Sequence, residues 1–108
     1  MVRITIDISC PVQTTLAVIG GKWKAVILYH LRSGPKRFGA LRKDIPQITQ
    51  KMLTQQLRDL EAHGIVEREV YAEAPPRVEY TLTDYGRSLE PILDAMCHWG
   101  QNYRQNQL

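Results

Sequence analysis

The 108-residue chain contains only two cysteines, Cys10 and Cys97. Two are too few for a disulfide framework, so reduced thiols are expected. No apolar run approaches the roughly 20 residues that a membrane-spanning helix needs, which excludes the membrane as a partner. The opening MVRITIDISCPVQ lacks the long apolar stretch of a signal peptide, and the expected location is cytoplasmic. Internal repeats and low-complexity segments are missing. So are a glycine-rich phosphate loop and paired carboxylates. His30, His63 and His98 fall on separate segments without the logic of a catalytic triad. Cys97 and His98 are neighbours on a helical segment and point to different faces, so they make no half of a metal site. These absences argue against an enzyme and against a cofactor or metal. One domain spanning 1–108 is expected, with 44% hydrophobic and 23% charged residues, ordinary values for a folded soluble protein.

Acid is also scarce, but only locally. From Lys22 to Arg58 nine bases face one acid, Asp44, which gives +8. From Asp59 to the end, four bases face nine acids, which gives −5. The overall +3 hides this asymmetry. It reads either as a chance imbalance between solvated faces or as one part facing a polyanion and another facing something else.

Cys10-Pro11 has the form of a helix start, with Val12, Leu16 and Ile19 at helical spacing before Gly20-Gly21. A second helix carries Trp23, Val26, Ile27 and Leu31 and stops at Ser33-Gly34-Pro35. Phe38, Leu41 and Ile45 predict a short third helix closed by Pro46. Thr49 is the expected N-cap of a fourth, with Ile48 and Leu53 as its hydrophobic staple and Gly64 as its stop. Residues 65–71 and 77–82 read as strands of a hairpin whose tip is stiffened by Pro75-Pro76. Thr83 caps a final helix with Leu89, Ile92, Leu93, Met96, Trp99 and Tyr103 on its apolar stripe. Pro91 should kink or split it, and the tail QNYRQNQL should fray. The fold class is therefore mainly α with a small β-hairpin wing, a winged helix-turn-helix.

The stretch ITQKMLTQQLRDLEAHG carries the functional reading. Leu53, Leu57 and Leu60 make one face of its helix. Lys51, Thr54, Gln55 and Arg58 make the other, with Gln50 at the start and no acid before Asp59. Amides, hydroxyls and bases suit the donor and acceptor edges of bases in the major groove of double-stranded DNA, whereas carboxylates are repelled by phosphate. Lys36 and Arg37, just before the third helix, are either phosphate contacts or ordinary turn residues. Arg77 at the wing either touches DNA or bridges to Glu69 or Glu67 across the strands. The alternative function, a winged-helix protein-interaction module without DNA binding, calls for a more apolar face than this one.

The motifs CPV (10–12), IGGKW (19–23), GPKRF (34–38), ITQKMLTQQLRDLEAHGIVER (48–68) and PPRVEYTLTDYGRSL (75–89) together resemble the HxlR-type, MarR-like winged helix-turn-helix regulators. The likeness covers residues 10 to about 100, leaving a short N-terminal arm and a C-terminal tail. Gly39 departs from it, since many members carry a polar residue there. The resemblance implies a sequence-specific transcriptional regulator that binds a palindromic operator as a homodimer, with the helix after Thr49 as the reader. Some members respond to electrophiles or oxidants through the cysteine matching Cys10, so the resemblance leaves room for a small-molecule or oxidant signal, with Cys10 as the candidate redox switch. Cys10 as an N-cap would lie at the positive end of a helix dipole, where a thiolate is favoured; the other reading is an inert thiol that packs. Val12, Leu16 and Ile19 on the first helix, and Ile92, Met96, Trp99 and Tyr103 on the last, exceed what one small core can bury and form the expected dimer interface.

Overall fold

The computed structural model describes residues 10–107; the N-terminal arm expected at residues 1–9 lies outside them. Six helices and one hairpin follow in the order α1 (Pro11–Ile19), α2 (Lys24–Leu31), α3 (Phe38–Asp44), α4 (Gln50–Ala62), β1 (Val66–Tyr71), β2 (Arg77–Leu82), α5 (Asp84–Arg87) and α6 (Glu90–Gln107). The helix-turn-helix pair is α3 and α4, and the antiparallel hairpin is the wing.

Local sequence accounts for the boundaries. Pro11 starts α1 in the first turn, where its missing N–H is not needed. Thr49 Oγ1 accepts from the Met52 N–H at 3.1 Å and so opens α4. After α4 the chain turns at Gly64 with φ +74°, a backbone that L side chains rarely adopt, and enters β1. Thr83 Oγ1 accepts from Gly86 N at 2.9 Å and caps α5. The expected single last helix is split rather than kinked: α5 ends at Arg87, and α6 begins afresh with Pro91 in its first turn. The polar tail does not fray early, because α6 runs on to Gln107.

The core joins every layer. Ile27, Leu28 and Leu31 from α2, Leu41 from α3 and Leu53, Leu57 and Leu60 from α4 are all at most 1% exposed. Ile65, Val66, Leu82 and Leu93 close it from the hairpin and α6. Each such side chain contributes about 1.5–3 kcal/mol relative to exposure. Ile19 belongs here too, at 4% exposure. It was expected on the dimer face with Val12 and Leu16, but the C-terminal end of α1 turns at Gly20 and delivers it into the chain's own interior.

Strand register pairs Val66 with Leu82 and Tyr71 with Arg77. Lys36 adds a short third rung: its N–H donates to Tyr80 O at 2.9 Å, and Tyr80 N–H donates back at 2.8 Å. This bridge fixes the wing against the start of α3.

Candidate nucleic-acid interface

The apolar face of α4 is anchored by Leu53, Leu57 and Leu60, so its opposite face must point outward. Gln50, Lys51, Thr54, Gln55 and Arg58 line one shallow open hollow there. Sequence reading named all five, and the structure brings them together. Lys51 and Arg58 have no ion-pair partner among the described residues, and both are exposed. Thr54 donates its hydroxyl to Gln50 O at 2.9 Å, which leaves its lone pairs as acceptors. Gln55 Nε2 donates to Asp59 Oδ1 at 3.2 Å, one turn further on. Arg58 also borders a second hollow at the foot of the wing, with Glu61, Arg68 and Tyr80. Burial raises the Tyr80 phenol above its ordinary value.

The remaining named bases divide. Arg37 is exposed at the N-cap of α3. Lys36 instead donates to Asp44 Oδ2 at 2.5 Å, with His30 Nδ1 at 3.8 Å from the same oxygen. The hydrogen bond from Lys36 holds the Asp44 carboxyl below the usual range. Lys36 is thus an internal ion-pair partner. Arg42 and Lys43, which belong to the basic stretch, lie on the exposed side of α3. What distinguishes them is exposure without an ion-pair partner among the described residues, which composition alone does not give.

Arg77 departs furthest from expectation. Its Nη2 lies 2.9 Å and its Nε 3.1 Å from Glu73 Oε2, and its Nη1 lies 2.6 Å from Glu79 Oε2. The guanidinium also sits 3.8 Å from the centroid of the Tyr71 ring. Hydrogen bonds to Glu73 and then Glu79 raise its pKa further above its ordinary value, and the Arg77 bond in turn lowers Glu73. Neither Glu67 nor Glu69 is the partner, because Glu69 faces Glu79 across the ladder and the tip loop brings Glu73 to the guanidinium. With four glutamates against two arginines over residues 66–82, the wing is acidic.

Apolar side chains are also exposed on α1 and on α6. Val12, Leu16, Ile92, Met96, Trp99 and Tyr103 are exposed, Trp99 by 67%, and the Trp99 and Tyr103 rings stack with centroids 5.3 Å apart. Cys10 is half-buried at the N-cap of α1, without a side-chain cap bond. Cys97 donates its thiol to Tyr29 Oη at 3.6 Å, beside a cleft between α2 and α6.

A short helix, a tight turn, a core-anchored helix with an amide-rich basic outer face, and a hairpin clamped alongside define the winged helix-turn-helix transcriptional regulators. Within that class, the chain belongs to the family described as HxlR-like helix-turn-helix, which matches residues 18–108. It is similar to two HTH-type transcriptional regulators of Bacillus subtilis (strain 168). YtcD is 62% identical over 92 residues, covering 85% of this chain and 73% of the relative. YdeP is 58% identical over 95 residues, covering 88% and 74%. Among solved structures, the redox regulator HypR in its oxidised form is 59% identical with a TM-score of 0.84, covering 86% of this chain and 96% of that one. Reduced YodB from B. subtilis is 39% identical with a TM-score of 0.75, covering 87% and 93%. The family is one of transcription regulators, not of enzymes. No helix among the described residues is long and apolar enough to cross a membrane.

Proposed function

We propose that this chain is a sequence-specific double-stranded DNA-binding regulator that acts in the cytoplasm as a homodimer on a palindromic operator. The observation that carries the reading is the outer face of α4, where Gln50, Lys51, Thr54, Gln55 and Arg58 share one open surface without an acid among them. Placed in the major groove, Lys51 and Arg58 suit guanine edges or phosphate, and Gln50 and Gln55 suit adenine. Arg37, Arg42 and Lys43 on α3 are the phosphate contacts beside it. The exposed stripe of α1 and α6 supports a dimer that sets two recognition helices about 34 Å apart.

Cys10 is the proposed sensor. It caps α1, the helix that carries Val12 and Leu16 into the dimer face, so modification there would change the spacing of the readers. The similar protein HypR has been solved oxidised and reduced, and YodB after diamide treatment and bound to quinone. A quinone needs no further reactant: the Cys10 sulfur bonds to a ring carbon, the thiol proton ends on one quinone oxygen, the hydrogen of the attacked carbon moves to the other as the ring regains aromaticity, and a hydroquinone thioether results.

Selection of bound sequences from a random DNA pool tests the main reading. A palindromic motif whose affinity falls steeply with salt, by about 0.9 log units per log unit of salt for each phosphate neutralised, is expected. Absence of DNA binding would leave the protein-interaction module as the remaining reading. Quinone treatment should alter operator affinity in the wild type but not in Cys10→Ser; equal responses would remove the sensor.

A further inference from the structure

Asp59 is the first acid on α4, and it does not merely mark the end of the basic face. Its two carboxylate oxygens are divided between two elements. Oδ2 lies 3.3 Å from Lys24 Nζ, which comes from α2 with only 15% of its side chain exposed. The same ammonium donates to Gln56 Oε1 at 2.8 Å, so Lys24 is itself held by two neighbouring residues on one face of α4. Oδ1 accepts from Gln55 Nε2 at 3.2 Å. The Asp59 side chain is 40% exposed, yet in this orientation its two oxygens keep both contacts, and rotating it away would give up the ammonium.

This arrangement has a consequence for Gln55. A glutamine amide offers two donors at one end and an acceptor at the other, and unrestrained it can present either end. Reversing it here would set Oε1 against Asp59 Oδ1, two acceptors with no proton between them. The nitrogen end is thus kept on the Asp59 side. One amide hydrogen goes to Asp59, while the second hydrogen and Oε1 remain free to face outward. That is the donor and acceptor pair that matches N7 and N6 of adenine.

We infer that Asp59, held by Lys24, is a positioning residue that fixes the amide of Gln55 and so makes Gln55 the determinant of one adenine in each half-site. The inference rests on the DNA-binding reading above. It also assigns a role to an acid that phosphate repulsion alone would disfavour on this helix.

The test is sequence selection from a random DNA pool with the full chain as wild type, Gln55→Ala, Asp59→Asn, Lys24→Met and the double variant Gln55→Ala with Asp59→Asn, each checked for folding by thermal melting. The wild type should prefer adenine at one half-site position by at least about fivefold, the lower end for a good bidentate contact. Gln55→Ala should abolish that preference and leave the other positions intact. Asp59→Asn and Lys24→Met should weaken it at the same position, while non-specific affinity does not fall in Asp59→Asn, which removes a negative charge. The double variant should match Gln55→Ala, as expected of residues acting through one contact. An unchanged profile in Gln55→Ala, or in both folded positioning variants, overturns the inference, as does an even loss across every position. If Asp59→Asn fails to fold, Lys24→Met and Gln55→Ala decide the outcome. A wild type that selects no sequence would instead overturn the regulator reading itself, so the two failures are distinguishable.

Discussion

Arg77 directs its hydrogen-bonding capacity into the wing, toward Glu73 and Glu79, and lies over Tyr71. Replacing it with alanine should lower the melting temperature slightly and leave the salt dependence of DNA binding unchanged; a phosphate contact would instead reduce the slope by about 0.9. Lys51→Ala and Arg58→Ala should behave differently, each weakening operator binding by about 1–3 kcal/mol where the side chain touches a base, measured by titration at fixed salt. Asp44 and Glu73 are carboxyls whose folded-state values are depressed by Lys36 and Arg77. Their stabilising contribution is therefore present above the ordinary carboxylate range and lost as pH falls through the folded values. Melting curves of wild type and Asp44→Asn should accordingly converge as acid is added and separate toward neutrality. The face of α4 was legible from residue types and helical spacing. The fate of Lys36 was not, because Asp44 is brought to it by the far end of α3; for Arg77, Glu79 lies two residues along the same strand and so on the same face, while Glu73 is supplied by the tip loop, whose path no alternation encodes.

Boundaries of the elements were written more plainly than side-chain partners. Pro11, Thr49, Gly64 and Thr83 each act through one or two backbone groups, so their roles can be read within a few residues. Thr49→Ala should cost about 1 kcal/mol, seen as a lower midpoint in urea with an unchanged slope. Gly86 in α5 is a sharper case. A Cβ there would meet Ile65 O at 2.1 Å, because α5 is pressed against the backbone leading into β1. Gly86→Ala should destabilise by at least about 2 kcal/mol, in line with overpacking elsewhere, and calorimetry would register it as a clear drop in Tm. That close approach was invisible beforehand, since it joins segments about twenty residues apart. Pro91 left two outcomes open, a kink or a break; the chain breaks, with the short turn opened by Thr83 ending at Arg87 and α6 starting afresh at Glu90. The helical tail to Gln107 exceeded what its polar composition suggested.

As a whole the molecule is more extended than its length requires. Its radius of gyration is 15.3 Å, against about 13 Å for a compact domain of this size. The exposed stripe on α1 and α6 makes the same point from chemistry, since Leu16, Met96, Trp99 and Tyr103 are each at least half exposed. Trp99→Glu should shift the protein toward monomer in sedimentation without unfolding it, because Trp99 lies outside the core. The surplus of apolar residues was legible in the sequence; which of them one chain keeps for itself was not, as Ile19 illustrates. Helix α2 touches both α6 and α4. Near its C-terminal end Tyr29 meets Cys97 and Arg32 pairs with Asp94, both on α6, while at its N-terminal end Lys24 grips Asp59 and Gln56 on α4. Eight residues make a beam about 12 Å long. Tilting such a beam by about 5° swings its far end by about 1 Å, a large fraction of the tolerance of a hydrogen bond. In the proposed dimer, a displacement of α6 would therefore be felt through α2 at Lys24 and, through Lys24, at Asp59 and Gln56 of α4.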